Sequence, residues 1–549
     1  MVDAHYGAGT FLTDIGQVVR ARPHALAVAD GSRSVTYAEL WEESASWCRL
    51  FEDEGVRPDD CVAVWASNSV EWLASLIAAS SIGAAVLSVN TNFRSHELEQ
   101  MFERVQPTVL VLSSTFRGTE AADVLEQVSP SVLAGVSCAV VIGGTREHEA
   151  RLTGLLRTVN RAESQSTATA WPRHPEEHAA RRAIMFTSSG TTGEPKLIAH
   201  SQAALSAHLN AVADSYQLRK SGSRVMSPMP FCGVMGFETA MSGLVSGAGV
   251  VTQPGFDAEG AVKQIDDFAV TTLTCSDEAL RRILLTSTHE STRSLRDVAI
   301  AVFGNDPSDL FLAAADRGFR LFQTYGSSEV HALICYPTPE VDEASMTMGG
   351  GVPITPMHRV RARGPEGDIL PHYEHGSLEI LTPHLMLGYI IDEETLARPL
   401  TSDGYFRTGD MGYTTSRGFV YLARMTDAIR LSGFLVEPAE IENYLVSTFG
   451  FEGAQVVGVQ DHGRTKPFAF VIDKQGIDQE EILERCRREL SFHKIPLGVI
   501  RLDQFPTVEG PNGMKIRRGD LRDMAQQLLT PAPVEVRVHC GKSERGTDA

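Results

Sequence analysis

Paired cysteines, long apolar runs and an excess of basic charge are all missing from this chain of 549 residues. Its eight cysteines are scattered and none forms a Cys-x-x-Cys pair. This excludes a disulfide framework and a cysteine zinc site, and it points to reduced thiols in a cytoplasmic protein. No stretch approaches the roughly 20 apolar residues of a membrane span. Met1–His5 has no basic segment followed by an apolar core, so no secretory signal is expected. Acidic residues number 69 against 49 basic ones, a formal net charge of -20, which argues against nucleic-acid binding. An anionic substrate must therefore be drawn in by local donors, one or two lysines or a metal ion. Repeats and low-complexity tracts are also lacking. What remains is an ordinary globular composition, 43% hydrophobic and 21% charged, in a chain long enough for more than one domain.

Apolar strands alternate with amphipathic helices. Strands are expected at Cys61–Trp65, Ala84–Val89 and Thr108–Leu112, and helices at Phe11–Ala21, Val70–Ser81 and Ser95–Val105. The pattern resumes with strands at Val225–Met229, Gly249–Gln253, Val270–Thr274 and Val298–Phe303. Such alternation predicts an α/β fold of doubly wound, parallel sheets. From Gly349 to Gly418, glycines punctuate short strands, which predicts a small β-barrel. Beyond Arg424 a helix at Glu437–Phe449, strands, and a helix at Asp478–Leu490 predict a compact α+β unit. The expected division is residues 1–424 and 425–549. The polar stretch 158–182 reads as a surface excursion, and the charged tail from Thr530 as frayed.

One loop carries most of the chemistry. Thr187–Lys196 reads Thr-Ser-Ser-Gly-Thr-Thr-Gly-Glu-Pro-Lys, after the strand-like Ala183–Phe186 and ahead of a helical pattern over Gln202–Leu218. Glycines let backbone N–H groups close around an anion, and Ser and Thr add short donors. A terminal lysine adds a point charge. A solvated surface turn uses the same residues, but ten of them without an apolar interruption favour a polyphosphate site. A Walker A loop is excluded, because Gly190 and Gly193 lie too close together and Lys196 follows a proline.

Three further segments are suggestive. Tyr325-Gly326-Ser327-Ser328-Glu329 combines a ring that can stack on a base, two hydroxyls, and a carboxylate that can hold Mg²⁺; it is also a common kind of turn. Asp410, closing Tyr405–Asp410, can accept both hydroxyls of a ribose or merely cap a turn. Lys515 follows a Pro-Asn-Gly turn, where a basic residue is usually just solvated.

Together, in this order, these segments resemble the core motifs of the adenylate-forming superfamily of acyl-CoA synthetases, adenylation domains and luciferases. The resemblance runs from the N-terminal helices to about Leu521. The stretch Arg430–Glu442 is most similar to fatty-acyl and aryl-acyl CoA ligases. The resemblance implies a large N-terminal domain and a mobile C-terminal domain rotating about Arg424–Asp427. It implies that Thr187, Ser188, Ser189, Gly190, Thr191 and Thr192 wrap the ATP phosphates and that Lys196 aids the departing pyrophosphate. Tyr325 would pack on adenine, beside Gly326 and Ser327. Ser328 would touch the α-phosphate, Glu329 would hold Mg²⁺, and Asp410 would bind the ribose with Arg424 close by. Lys515 would reach the substrate carboxylate, and Gly433 would line the pantetheine tunnel of coenzyme A. The implied reaction joins a carboxylic acid to AMP, releasing pyrophosphate, and then passes the acyl group to coenzyme A.

Several positions depart from the family pattern. Ser328 stands for Thr, Thr426 for a hinge Asp or Lys, and Arg430 for Lys. In Met229–Gly236 the usual bulky residue beside the acyl pocket is Gly233, next to Phe231. That loss of a ring suggests a bulky or polycyclic acid, unless Phe231 or Phe237 refills the space. The turn at Gly304 replaces a usual run of small residues at the same pocket. Rival readings are an adenylating enzyme that hands acyl-AMP to another ligase or a carrier protein, a catalytically silent nucleotide binder, and a luciferase-type oxygenase. The oligomeric state is open, a homodimer being one option.

Overall fold

The computed structural model describes residues 9–529 apart from 117, 144–145, 160–174, 189–195, 303–306, 339–342, 365, 392–395, 425–428, 432–433, 437 and 511–512. Local signals set the first elements. Thr10 caps helix Phe11–Ala21, and Thr36 with Glu39 forms a reciprocal capping box at the start of Tyr37–Asp53. Cys61–Trp65 and Ala85–Ser88 are buried at every position, as central strands of a parallel sheet must be.

Among the described residues two large sheets dominate. The nine-stranded one has Ala85–Ser88 and Cys61–Trp65 at its centre and adds the hairpin Arg182–Ser188/Lys196–Ser201 and strand Gly388–Ile390 on one side. The seven-stranded one runs from Arg320–Gln323 through Asp297–Ala301, Thr272–Ser276, Arg224–Met226 and Gly249–Val251 to Leu26–Ala29 and Ser34–Thr36. Helices Val70–Ile82 and Val234–Ser246 are apolar nearly all round and buried. Their side chains share one core with both sheets, from Val62 and Phe186 to Val225 and Phe322.

The glycine-punctuated segment forms a six-stranded antiparallel sheet, with Phe406–Thr414 paired to Phe419–Arg424. The C-terminal unit has cores of its own, built around the hairpin Gly453–Asp461/Arg464–Ile472 and the helices Pro438–Phe449, Gln479–Glu489 and Arg518–Leu529. The α/β architecture is therefore the expected one.

The expected helix over Gln202–Leu218 stops at Ser215, because Gln217 turns to φ +56°. Most of the expected surface excursion, the central hinge residues and the C-terminal tail lie outside the described residues. Among the described residues, no helix is long and apolar enough to cross a membrane.

Candidate active site

The central loop closes a β-hairpin. Ser188 pairs with Lys196, so the strands Arg182–Ser188 and Lys196–Ser201 run back antiparallel and the loop joins their ends. Thr187 is half-buried on the outgoing strand, which also carries Ser188; Ser189, Gly190, Thr191 and Thr192 lie outside the described residues. Lys196 opens the return strand. Its ammonium lies 5.3 Å from the centre of the Tyr389 ring, a cation–π arrangement. Tyr389 is brought there by Gly388–Ile390, which pairs with Lys196–Ser201 and sets Tyr389 opposite Ile198.

The Tyr389 hydroxyl donates to Glu329 Oε1 at 2.9 Å. One aromatic residue thus connects the loop lysine to the expected metal-binding carboxylate. Glu329 is fixed from its backbone as well, since its carbonyl accepts from Met386 N–H at 3.0 Å.

The turn holding Glu329 is tight. Ser327 N–H donates to the His331 carbonyl at 3.1 Å, and Glu329 N–H donates to Ser327 Oγ at 3.3 Å. A Cβ on Gly326 would land on the His331 carbonyl oxygen and lie 2.5 Å from the Ala332 Cα. Only glycine allows that approach of two backbones. The Ser328 carbonyl accepts from His200 Nε2 at 2.7 Å. His200 is buried, and burial lowers its pKa to about 4, so the ring is neutral near pH 7.

Tyr325 and Asp410 meet directly, with the phenol donating to Asp410 Oδ2 at 2.6 Å. The Tyr325 ring is braced by Phe419 and Tyr421, with centroids 5.2 and 5.4 Å away. Asp410 is buried, and its N–H donates to Thr408 Oγ1 at 3.0 Å. Arg424 sits opposite Asp410 in the strand pair. The adenine-facing and ribose-facing residues expected from sequence are therefore neighbours.

The remaining expected residues lie elsewhere. Lys515 is on strand Gly513–Ile516, opposite Val508. Gly433 and Gly304 lie outside the described residues. Phe231 is fully buried; its ring packs edge-on to Trp72 at 5.6 Å and its N–H donates to Asn68 Oδ1 at 2.7 Å. Phe237 is likewise buried between Trp72 and Phe186. Gly233 caps helix Val234–Ser246 and is exposed. Among the described residues, a Cβ there would meet only the Pro230 carbonyl oxygen, at 3.5 Å. Neither phenylalanine occupies that space.

Sequence reasoning missed Tyr389 and His200. A tyrosine in a short strand reads as core, and only the Gly388-Tyr389 step ahead of an acidic turn marks it out. His200 gave no signal beyond its nearness to the loop.

Comparison with known proteins identifies the family. The family model described as AMP-binding enzyme matches residues 16–390, and the AMP-binding enzyme C-terminal domain matches residues 440–509. The chain belongs to the AMP-binding enzyme family. It is 28% identical over 502 residues to a 2-succinylbenzoate–CoA ligase of Geobacillus sp. (strain WCH70), covering 88% of this chain and 92% of that one. It is 28% identical over 531 residues to the 3-[(3aS,4S,7aS)-7a-methyl-1,5-dioxo-octahydro-1H-inden-4-yl]propanoyl:CoA ligase of Rhodococcus jostii (strain RHA1), covering 90% and 95%. The amide bond synthetase of Marinactinospora thermotolerans superposes with a TM-score of 0.77 at 26% identity, covering 94% and 100%. Within the adenylate-forming superfamily the chain falls in the AMP-forming acyl-CoA ligase branch.

Proposed function

We propose that this enzyme activates a bulky, ring-containing carboxylic acid with ATP and transfers the acyl group to coenzyme A. The observation that carries the reading is that Tyr389 joins Lys196 to Glu329 at one end of the turn Tyr325–Glu329, while Tyr325 at its other end bonds Asp410. In the first step the acid's carboxylate attacks the α-phosphorus of ATP, giving acyl-AMP and pyrophosphate. Tyr325 and Asp410 orient the nucleoside, and the hairpin loop with Lys196 takes the phosphates. Glu329, a half-buried carboxylate held by Tyr389, fits Mg²⁺, which offsets phosphate charge when bound. Lys515, carried by residues 425–549 against the 1–424 body, aligns the attacking carboxylate. In the second step the coenzyme A thiol displaces AMP, with Gly433 beside the pantetheine. No covalent enzyme intermediate forms, so catalysis rests on positioning and charge stabilisation.

The open space at Gly233 supports a bulky acid, as do two relatives named for ring-containing acids. The likeness to an amide bond synthetase favours a second reading, in which an amine takes the acyl group from acyl-AMP.

The test is acid-dependent pyrophosphate release across a panel of aromatic, polycyclic and short-chain acids, with coenzyme A, with an amine, and with neither. Lys515→Ala should lose on the order of a hundredfold in release. Thioester formation supports the ligase; amide formation without thioester replaces it with the second reading. ATP binding with no release for any acid would overturn both.

A further inference from the structure

Behind the nucleotide-facing turn lies a group of side chains that the reaction does not use. His200, His208, His331, His358, His384 and Glu238 are all buried, none more than 4% exposed. They come from different parts of the fold: strand Lys196–Ser201, helix Gln202–Ser215, helix Val234–Ser246, the turn after Glu329, and the six-stranded sheet and its edge. Their rings are in contact, with centroids 4.1 Å apart for His200 and His331, 4.3 Å for His208 and His331, and 4.8 Å for His358 and His384.

We propose that His208, His358 and His384 form a binding site for a divalent first-row transition-metal ion of the zinc class. One ligand atom from each of the three lies within 4.8 Å of the others. His358 Nε2 and His384 Nδ1 are already 3.0 Å apart. Tetrahedral nitrogen ligands at zinc's bond length stand about 3.3 Å apart, so small rotations close the set. Imidazole nitrogen suits zinc and its neighbours better than it suits Mg²⁺ or Ca²⁺.

The hydrogen bonds settle which nitrogen His208 offers. Its Nε2 faces two acceptors, the Ala332 carbonyl at 2.9 Å and Glu238 Oε2 at 3.1 Å, so Nε2 carries the proton. Nδ1 is then left with a lone pair and has no hydrogen-bond partner in a fully buried position. A neutral network explains the His358–His384 contact, through one shared proton, but leaves this nitrogen unsatisfied, as it does His200 Nδ1 and His331 Nε2 in the same group. A metal ion satisfies it. A carboxylate accepting the far N–H of a ligating histidine is the usual orienting arrangement around such an ion.

A second group, His208, Glu238 and His331, is equally compact. There both oxygens of Glu238 are already engaged, Oε2 by His208 Nε2 and Oε1 by His331 Nδ1, although His331 Nε2 has no hydrogen-bond partner. An ion would have to break both bonds, so the His358–His384 side is the better seat. A fourth coordination position falls to water. The site is closed to solvent and distinct from the Mg²⁺ position at Glu329. It would brace the catalytic turn from behind, since His208 holds the Ala332 carbonyl and His384 lies two residues before Met386, whose N–H holds Glu329.

Metal content of untagged full-length protein, made in zinc-supplemented medium and freed of loosely bound ions by gel filtration, tests this. The wild type should carry about one zinc per chain. His384→Gln and His358→Gln, checked for folding by circular dichroism and thermal melting, should carry less than about a tenth of that. Glu238→Gln should retain the ion with weakened affinity. Refolding in Co²⁺ should give the visible absorption of a four-coordinate cobalt site, which none of these readouts draws from catalysis. Wild-type protein that holds no metal and acquires none on refolding with Zn²⁺ or Co²⁺ overturns the proposal. So does full metal content in folded His384→Gln.

Discussion

Tyr389 does two jobs with two parts of one side chain, and a single oxygen separates them. Its ring lies under the Lys196 ammonium and its hydroxyl donates to Glu329. Tyr389→Phe keeps the ring and removes the donor. A hydrogen bond to a charged group contributes about 1.5–3 kcal/mol, so pyrophosphate release should fall about tenfold or more. The loss should ease as Mg²⁺ is raised, because it is the carboxylate's orientation that suffers. A Mg²⁺ titration of Tyr389→Phe indistinguishable from wild type would remove Tyr389 from the metal-binding reading. Gly233 poses the complementary question of an absent side chain. Phe231 and Phe237 are committed to Trp72, and the space over Gly233 is open. Gly233→His should therefore turn preference from large ring acids toward small ones, by about tenfold for a few methylene-sized groups excluded. A preference unchanged across the acid panel would place the acyl group elsewhere.

The Tyr325–Glu329 turn is an element whose shape depends on one glycine. At Gly326 a methyl group has no room against the His331 carbonyl and Ala332, and His331 and Leu333 already sit at φ +72° and +55°. Gly326→Ala must push the turn outward, moving Tyr325 off Asp410 and Glu329 off Tyr389 together. Overpacking of this kind costs about 1–3 kcal/mol, so the melting temperature should fall and the KM for ATP should rise. A stable variant with wild-type ATP affinity would show that the turn adapts. Much at this level was readable beforehand. Helix Val70–Ile82 has a Ser69 cap, a largely apolar sequence and Gly83 at its end. Helix Val234–Ser246 was not read, because Gly236 and Gly243 interrupt its pattern; in the fold Gly243 lets Val225 and Val250 press against the helix. Tyr325 and Asp410 were legible as motif residues, but their contact spans 85 positions and depends on the sheet that delivers Asp410. The histidines were invisible as a group. They have no ligand spacing in sequence and are gathered only by the crossing of three layers.

Across the whole molecule, a buried charge cluster fastens the C-terminal unit to the N-terminal body. Glu97 Oε2 accepts from Arg94 N–H at 2.8 Å, while Oε1 accepts from Ser491 N–H and Oγ at 3.1 and 2.6 Å and lies 3.3 Å from Lys494 Nζ. Lys494 also pairs with Glu440, and the His96 and Tyr444 rings meet alongside at 5.1 Å. Burial alone would lower the Lys494 pKa; Glu440 and Glu97 outweigh it and leave it raised. A raised lysine contributes stability that is complete below its unfolded value of about 10.4 and is lost only as pH climbs through the higher folded one. His493 behaves oppositely. Burial, then the Lys494 charge, depresses it to about 3. The unfolded chain takes up that proton first, so stability falls as pH drops below about 6.5. The contact is therefore strongest between about pH 6.5 and 10, and the enzyme should work within that window with little change in domain attachment. Glu97→Gln keeps the shape and removes one of the two carboxylates facing Lys494. Removing a partner from a buried pair costs about 3 kcal/mol or more, enough to release this orientation of the C-terminal unit. Amide exchange should then quicken in both Ser95–Val105 and Ser491–Lys494. The half-reaction that uses this orientation should slow by about tenfold or more relative to the other, because 1.4 kcal/mol is already a factor of ten in the domain equilibrium. Equal rates for acyl-AMP and thioester formation in variant and wild type, with exchange unchanged, would mean that the cluster packs two surfaces without governing their movement.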